Sequence, residues 1–439
     1  MKLTRVFAFM AMAGLATSAF ATNGYFSHGY GMKSKGMAGA STASYDDAFF
    51  GANNPAAAAF AGNRLDLGVD LFSPIREYTR TGSAGGTGAF DGNVESGSEY
   101  FLVPEFGYNR MINNNLALGL TVYGNGGMNT DYETGQLDMG LCMTGTTPSG
   151  QPANMLCGEG RLGVDLMQLI VAPTLAYKIA PNHSIGISPL LGYQAFEANG
   201  LWAFSPLSND PSKLTNNDHD SAFGYGVRVG YMGKITPTVT IGAAYASKMN
   251  FEEFDDYAGL FAEEGDFDIP ENYSLGVAWQ ATPALKLALD YQRINYSGVE
   301  SVSNTSEPPI SFPCGGSNPT CLGGSNGIGF GWEDMDVWKL GMEYKYSNQW
   351  TLRAGYSHTS QPIPSSDVTF NSVAPAVIED HVTLGFTYTL ATGNELTMAY
   401  MHGFLNDVKG PVNQYFPVGG TDKIQMYQNS LGIQYSWKM

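Results

Sequence analysis

The sequence predicts an all-β fold: a 14-stranded antiparallel transmembrane β-barrel with an N-terminal plug (hatch) inside the lumen. Three observations carry that expectation. Apolar residues recur with period two, tight turns alternate with long loops, and one segment near the N-terminus follows neither pattern. Composition agrees, with 55 glycines, 13% aromatics and only 14% charged residues, against about 25% charged in ordinary soluble domains.

The first 21 residues stand apart. Lys2 and Arg5 precede an apolar run from Val6 to Ala16, and Ala19-Phe20-Ala21 has the small-x-small pattern of an export cleavage site, so residues 1–21 read as a signal peptide. Cleavage removes two of the 22 basic residues and none of the 40 acidic ones, leaving a net charge of −20. Such a charge repels a polyanion, so no nucleic acid is expected as a partner. No other run approaches the ~18 apolar residues of a membrane-crossing helix, which leaves strands as the means of spanning a bilayer.

Residues 22–63 do not alternate, and about forty residues with few large aliphatic side chains cannot bury a core alone. They need a container. In "SYDDAFFGANNPAAAAF" (44–60), Asn54 can cap a short helix that starts at Pro55, where a missing N–H costs nothing, and continues through Ala56 to Ala59. A plug filling the lumen fits, because an empty fourteen-stranded barrel would be a water channel.

Residues 64–439 read as the barrel. Leu285, Leu287, Leu289 and Tyr291 alternate with Lys286, Ala288 and Asp290, and Trp338, Leu340, Met342, Tyr344 and Tyr346 with Lys339, Gly341, Glu343 and Lys345. The pattern returns at Met167–Tyr177, Val382–Leu390 and Leu431–Trp437. Alternation with aromatics near strand ends marks a lipid-facing wall. Short turns at 113–115, 180–183, 236–237, 281–283, 347–349 and 391–394 alternate with long segments near 81–92, 125–163, 205–219, 251–268, 299–331, 359–377 and 406–422. Six turns and seven loops make fourteen strands, an even number that returns both ends to one side. A soluble β-sandwich would share the alternation but neither the leader nor the turn-and-loop asymmetry.

Four cysteines allow three pairings. An oxidising compartment and the short local loops favour Cys142 with Cys157 and Cys314 with Cys321.

The plug segment Gly36–Ala40 followed by Asp46-Asp47 and Asn54-Pro55-Ala56, then "LALGLTVYGNGG" (116–127), "IPENYSLGVAW" (269–279), "GWEDMDVWKLGMEY" (331–344) and "WTLRAGY" (350–356), come in an order that resembles the FadL-like family of outer-membrane transporters for long-chain fatty acids and aromatic hydrocarbons. The chain departs from the family at Ala57, where glycine is frequent, and in ending Trp437-Lys438-Met439 rather than on an aromatic residue. The resemblance implies a protein of the Gram-negative outer membrane that is no enzyme and needs no cofactor. It also implies three steps: capture on a groove of the third and fourth long loops, passage to a pocket against the plug, and sideways release where the third strand bends inward. A chain of about fifteen methylenes is disfavoured in water by roughly 12 kcal/mol, so each step has to offer apolar surface.

Each step has candidates. The third loop and its approach hold Leu201, Trp202, Phe204 and Leu207, and the fourth holds Phe254, Tyr257, Leu260 and Phe261. These either bind ligand or pack together to order the loops. In the plug, Tyr25, Phe26, Met32, Met37, Phe49 and Phe50 either meet the ligand or pack on the inner wall. Gly124, Gly126 and Gly127 permit a bend that opens the wall, or a plain turn into the loop. A ligand carboxylate wants a cation, and Lys33, Lys35 and Arg64 stand in or just after the plug. The acidic run Glu252–Asp268 is either a solvated surface or a holder of divalent cations beside lipopolysaccharide; its spacing fits no calcium loop, and no metal site is assigned.

The rival readings are a general diffusion porin for hydrophilic solutes and a barrel hydrolase. A porin would lack a plug. A hydrolase needs a Ser/His pair on adjacent strands, and the six histidines, at 28, 183, 219, 358, 381 and 402, show no zinc spacing and no nucleophile elbow. The expected partners are a fatty acid or hydrocarbon ligand, outer-membrane lipid and lipopolysaccharide. A plugged barrel with its own lateral exit is expected to work as a monomer.

Overall fold

The alternation seen in the sequence becomes fourteen long strands that close on themselves. The computed structural model describes residues 22–142, 151–416 and 418–439; residues 1–21, read from the sequence as a signal peptide, lie outside them. The strands are β1 (Arg64–Thr81), β2 (Phe101–Met111), β3 (Leu116–Tyr132), β4 (Leu162–Ala180), β5 (His183–Asn199), β6 (Asp220–Lys234), β7 (Val239–Ala246), β8 (Asn272–Gln280), β9 (Leu285–Ile294), β10 (Met335–Lys345), β11 (Trp350–Thr359), β12 (Asp380–Thr389), β13 (Glu395–Pro411) and β14 (Thr421–Lys438). Every strand pairs antiparallel with its sequence neighbours, and β14 returns to β1 in continuous register from Arg64↔Lys438 to Thr81↔Thr421. No open edge is left in the ring, as lipid demands. Residues 92–95 and 250–251 add short ribbons to β1 and β6.

All six tight turns stand where the sequence places them, at the end that faces the periplasm. Two loops start later than expected. β3 runs on to Tyr132 rather than ending before 125, and β13 runs to Pro411 rather than stopping at 406. Both strands carry a register shift, between Gly124 and Gly126 and between Gly403 and Asn406. A bulge inverts the in-out pattern, so the alternation on its far side no longer reads as the same strand.

The wall is a core turned inside out. Leu118, Leu175, Leu191, Leu275, Leu289, Leu340, Leu384 and Leu431 are exposed, whereas Asp290, Lys339, Thr397, Gln428 and Gln434 are buried. The apolar face meets lipid and the polar face meets the plug.

Residues 22–63 occupy the lumen. They contain one helical turn, α1 (Met32–Lys35), and a 3-10 turn, Pro55–Ala59. Asn54 caps the second as expected, its Oδ1 accepting from Ala56 N (3.1 Å), while its Nδ2 donates to Thr42 O (2.8 Å) and to Tyr231 O on the wall (3.0 Å). Wall glycines make room. A Cβ at Gly230 would sit 2.1 Å from Asn54 Oδ1, and one at Gly186 2.4 Å from the Pro55 carbonyl carbon. Ser184 donates to Ala56 O (2.8 Å), so the Asn-Pro-Ala stretch is fastened to two strands.

The long loops fold over the outer mouth. Disulfides join Cys142 to Cys157 and Cys314 to Cys321, with Cα separations of 5.2 and 5.8 Å.

Candidate functional site: a bulged wall, an aromatic column and a luminal cavity

Gly124, Gly126 and Gly127 lie inside β3, and Asn125 between them is the bulged residue. The plug's first residues fill this irregularity. Phe26 bridges Gly126, Gly127 N donates to Tyr25 O (3.1 Å) and Ser27 N to Asn125 O (3.2 Å). A Cβ at Gly126 would fall 1.6 Å from Tyr25 O, so only glycine allows this approach. Tyr30 hydroxyl donates to Asn125 O (2.9 Å), and the Asn125 amide donates to Gln168 Oε1 (3.0 Å).

Above the bulge the lumen is aromatic. Phe196 meets Tyr257 and Phe261 (4.8 and 4.7 Å between ring centres), Phe261 meets Phe267 (4.8 Å), Phe267 meets Tyr25 (6.0 Å), and Tyr25 meets Tyr296 (5.2 Å), which meets Trp332 (5.1 Å). Edge-on and tilted pairs at such spacing are favourable. The column therefore runs without a break from the fourth loop to the plug residues seated in the bulge. Tyr25 hydroxyl also reaches Asp268 O (3.3 Å), and Tyr296 hydroxyl donates to Asn23 O (2.7 Å).

The structure brings some expected residues together and separates others. Leu201, Phe204, Leu207, Phe254, Tyr257, Leu260 and Phe261 are buried in one cluster with Tyr25 and Phe26, while Trp202 stands 43% exposed at its edge. Met32 lies on the wall at Gly432, and Phe49 packs on Gly31. Phe50 belongs to a separate cluster near the turns, with Ala48, Ala56 to Ala59, Ala117 and Ala176. The plug thus has an aromatic end toward the loops and an alanine-rich end toward the periplasm.

A cavity of about 30 Å³ lies between plug and wall beside Phe26 and Tyr30, and Arg228, Lys339, Asp290 and Asn272 also line it. Lys339 Nζ donates to Gln292 (2.9 Å), and Arg228 Nη1 donates to Gly51 O (2.8 Å). Neither makes an ion pair among the described residues. The three cations proposed from sequence do: Lys33 with Glu395 (2.7 Å), Lys35 with Asp70 and Glu105 (2.7 and 3.0 Å), and Arg64 with Asp66 (2.9 Å). Alternation opposite Trp338 and Leu340 could have placed Lys339 in the lumen, but not beside the plug.

Where the acidic fourth loop meets the fifth, oxygens of Glu263, Asp266 and Glu300 lie within 4.8 Å of one another, and Lys248 pairs with Asp268 (2.8 Å). Burial, and next the Asp268 charge, push the Asp266 carboxyl up to about 7. Among the described residues one Ser/His pair bonds across adjacent strands, Ser357 Oγ to His381 Nδ1 (3.3 Å), but the other ring nitrogen faces the Gln428 amide (2.9 Å), not an orienting carboxylate.

A family model described as outer membrane protein transport protein (OMPP1/FadL/TodX) matches residues 8–415. No curated protein sequence matches the chain significantly. Among solved structures it is similar to a Pseudomonas aeruginosa FadL homologue (17% identity, 94% of this chain and 99% of that one, TM-score 0.69). It is similar also to the P. putida toluene transporter TodX (19%, 94% and 99%, 0.64) and the Ralstonia pickettii toluene transporter TbuX (17%, 94% and 99%, 0.61). At these identities the structural likeness establishes the fold.

Proposed function

This chain belongs to the OMPP1/FadL/TodX family of outer-membrane transport proteins, and on that premise we propose that it carries hydrophobic compounds inward, long-chain fatty acids in the first place. Ligand is captured among the apolar loops, passes down the aromatic column to the plug, and leaves sideways at the bulge in β3. The observation that carries the reading is the continuity of that column, from Phe261 in the fourth loop to Tyr25 and Phe26 on Gly126. A guest that stays in contact with rings avoids the roughly 0.8 kcal/mol that each methylene costs in water. Release requires the segment from Asn23 to Ser27 to leave the bulge, where backbone bonds to Asn125 and Gly127 hold it together with the Tyr296 hydroxyl bond to Asn23 and the ring contacts of Tyr25.

Lys339 and Arg228 favour the fatty-acid branch. Two cations that close no ion pair among the described residues, at the foot of an apolar column and with Asp290 the one carboxylate lining their cavity, suit a carboxylate head, and an unsubstituted hydrocarbon has no use for them. The test is uptake of labelled long-chain fatty acid, with toluene in parallel, by cells that lack their own transporter and express this protein. Restored fatty-acid uptake is expected. Toluene uptake alone would move the substrate to the hydrocarbon branch, and entry of small sugars with neither would replace the reading by a porin.

A further inference from the structure

The plug is not solid beneath the luminal cavity. Three openings follow one another and share lining residues. The luminal cavity and a second opening of about 20 Å³ within the plug both reach Ser41 and Asn53. That second opening and a third, of about 550 Å³ at the turn end, share Ser44, Asp46 and Glu343. A water needs about 10–15 Å³ of such volume, so the two upper openings each have room for a water or two. Polar need coincides with that room. Asp290, which lines the first opening, and Ser34, which lines the second, each have a buried side-chain oxygen without a protein partner. An unsatisfied buried polar atom is unfavourable by about 1–3 kcal/mol, which draws water to both places. A hydrocarbon chain does not find the width there, and the lining is mixed, with Lys33, Asp46 and Asp47 beside Met37 and Phe50 in the second opening.

We propose that a file of water crosses the plug from the luminal cavity to the periplasmic mouth, passing water and water-sized cations while excluding the apolar ligand. Water expelled when a guest enters the lumen leaves by this route. That use of the file rests on the transport reading; the file itself does not.

The chain suits a thiol test, because its four cysteines are all in disulfides and an introduced thiol is the only free one. Ser34→Cys and Ser41→Cys change one atom each on the path. Ser184→Cys is the control, buried on the wall, bonded to Ala56 O (2.8 Å) and lining none of the three openings. Each purified variant, its folded state verified by heat-modifiable gel migration, is exposed to Ag⁺, then unfolded and labelled with a bulky maleimide. Ag⁺ should block S34C and S41C at least ten-fold faster than S184C, and the maleimide should reach neither before unfolding. Rates no faster than the control would overturn the file. Native labelling by the maleimide would overturn it too, since the path would then admit the ligand. Either position decides by itself, so one misfolded variant leaves the test intact.

Discussion

The plug's two ends are held by different physics. From the periplasmic turns up to the middle of the wall, Lys33–Glu395, Lys286 with Asp46 and Glu343 (2.5 and 3.1 Å), and Lys35 with Asp70 and Glu105 join plug to wall in largely buried ion pairs. Toward the loops, Tyr25 and Phe26 meet rings 5–6 Å away, with a few polar bonds at the bulge. Buried charges fix one geometry, because an unpaired one is strongly unfavourable. Ring contacts are non-directional by comparison, and other apolar groups can replace them. The lower end is therefore an anchor and the upper end is where a guest can enter.

That contrast can be broken most forcefully at the anchor. Lys35→Met leaves Asp70 and Glu105 as adjacent buried carboxylates, and should destabilise the plug by about 3–5 kcal/mol. Amide exchange over residues 32–36 should accelerate accordingly while the strands stay protected; unchanged exchange there would remove the anchor from the account. A smaller effect is expected at the luminal cations. Lys339→Met should weaken fatty-acid uptake about 10- to 100-fold, the range of a charged hydrogen bond worth 1.5–3 kcal/mol, without affecting any toluene uptake. Equal losses for both ligands would point to a general packing defect instead.

The smallest effect lies in the fourth loop. Asp266 titrates near 7 when folded and near 4 when unfolded, so the folded loop binds the extra proton between those values. Loop stability should rise as pH falls from about 7 toward 4, and the penalty of the ionised form should be complete above 7. Exchange over residues 262–268, corrected for intrinsic rate, reports it, and Asp266→Asn should flatten the slope. A slope kept by the variant would assign the titration elsewhere.

How much of this was legible in the sequence follows from where the signal is local. Period two names the strands and the Asn54-Pro55 cap names the short helix, because neither depends on distant residues. The bulge was half legible. "GNGG" reads as a turn or as a bend, and only pairing with Met167–Leu169 shows that the strand continues. The cations were illegible in another way. Lys33 and Lys35 stood out by lying in the plug, yet their partners Glu395 and Glu105 come from strands far along the chain. Lys339 differs in that Asp290, opposite it on β9, accepts through Oδ2 from the plug's Ser41 and Thr42 N–H groups and forms no ion pair with the lysine among the described residues. The loop aromatics show the same limit, since the sequence reveals their apolarity but not that Trp202 alone among those proposed stays exposed.

The most direct test of the sideways route is deletion of Asn125, the residue that sets β3 out of register with β4. Without it, Gly124 and Gly126 become consecutive and the ladder to Leu169 and Gln168 can run regularly. The account predicts a barrel that still folds, with heat-modifiable migration unchanged, and fatty-acid uptake reduced to that of cells without the protein. Uptake retained at the parental rate in the folded variant would contradict release through the wall.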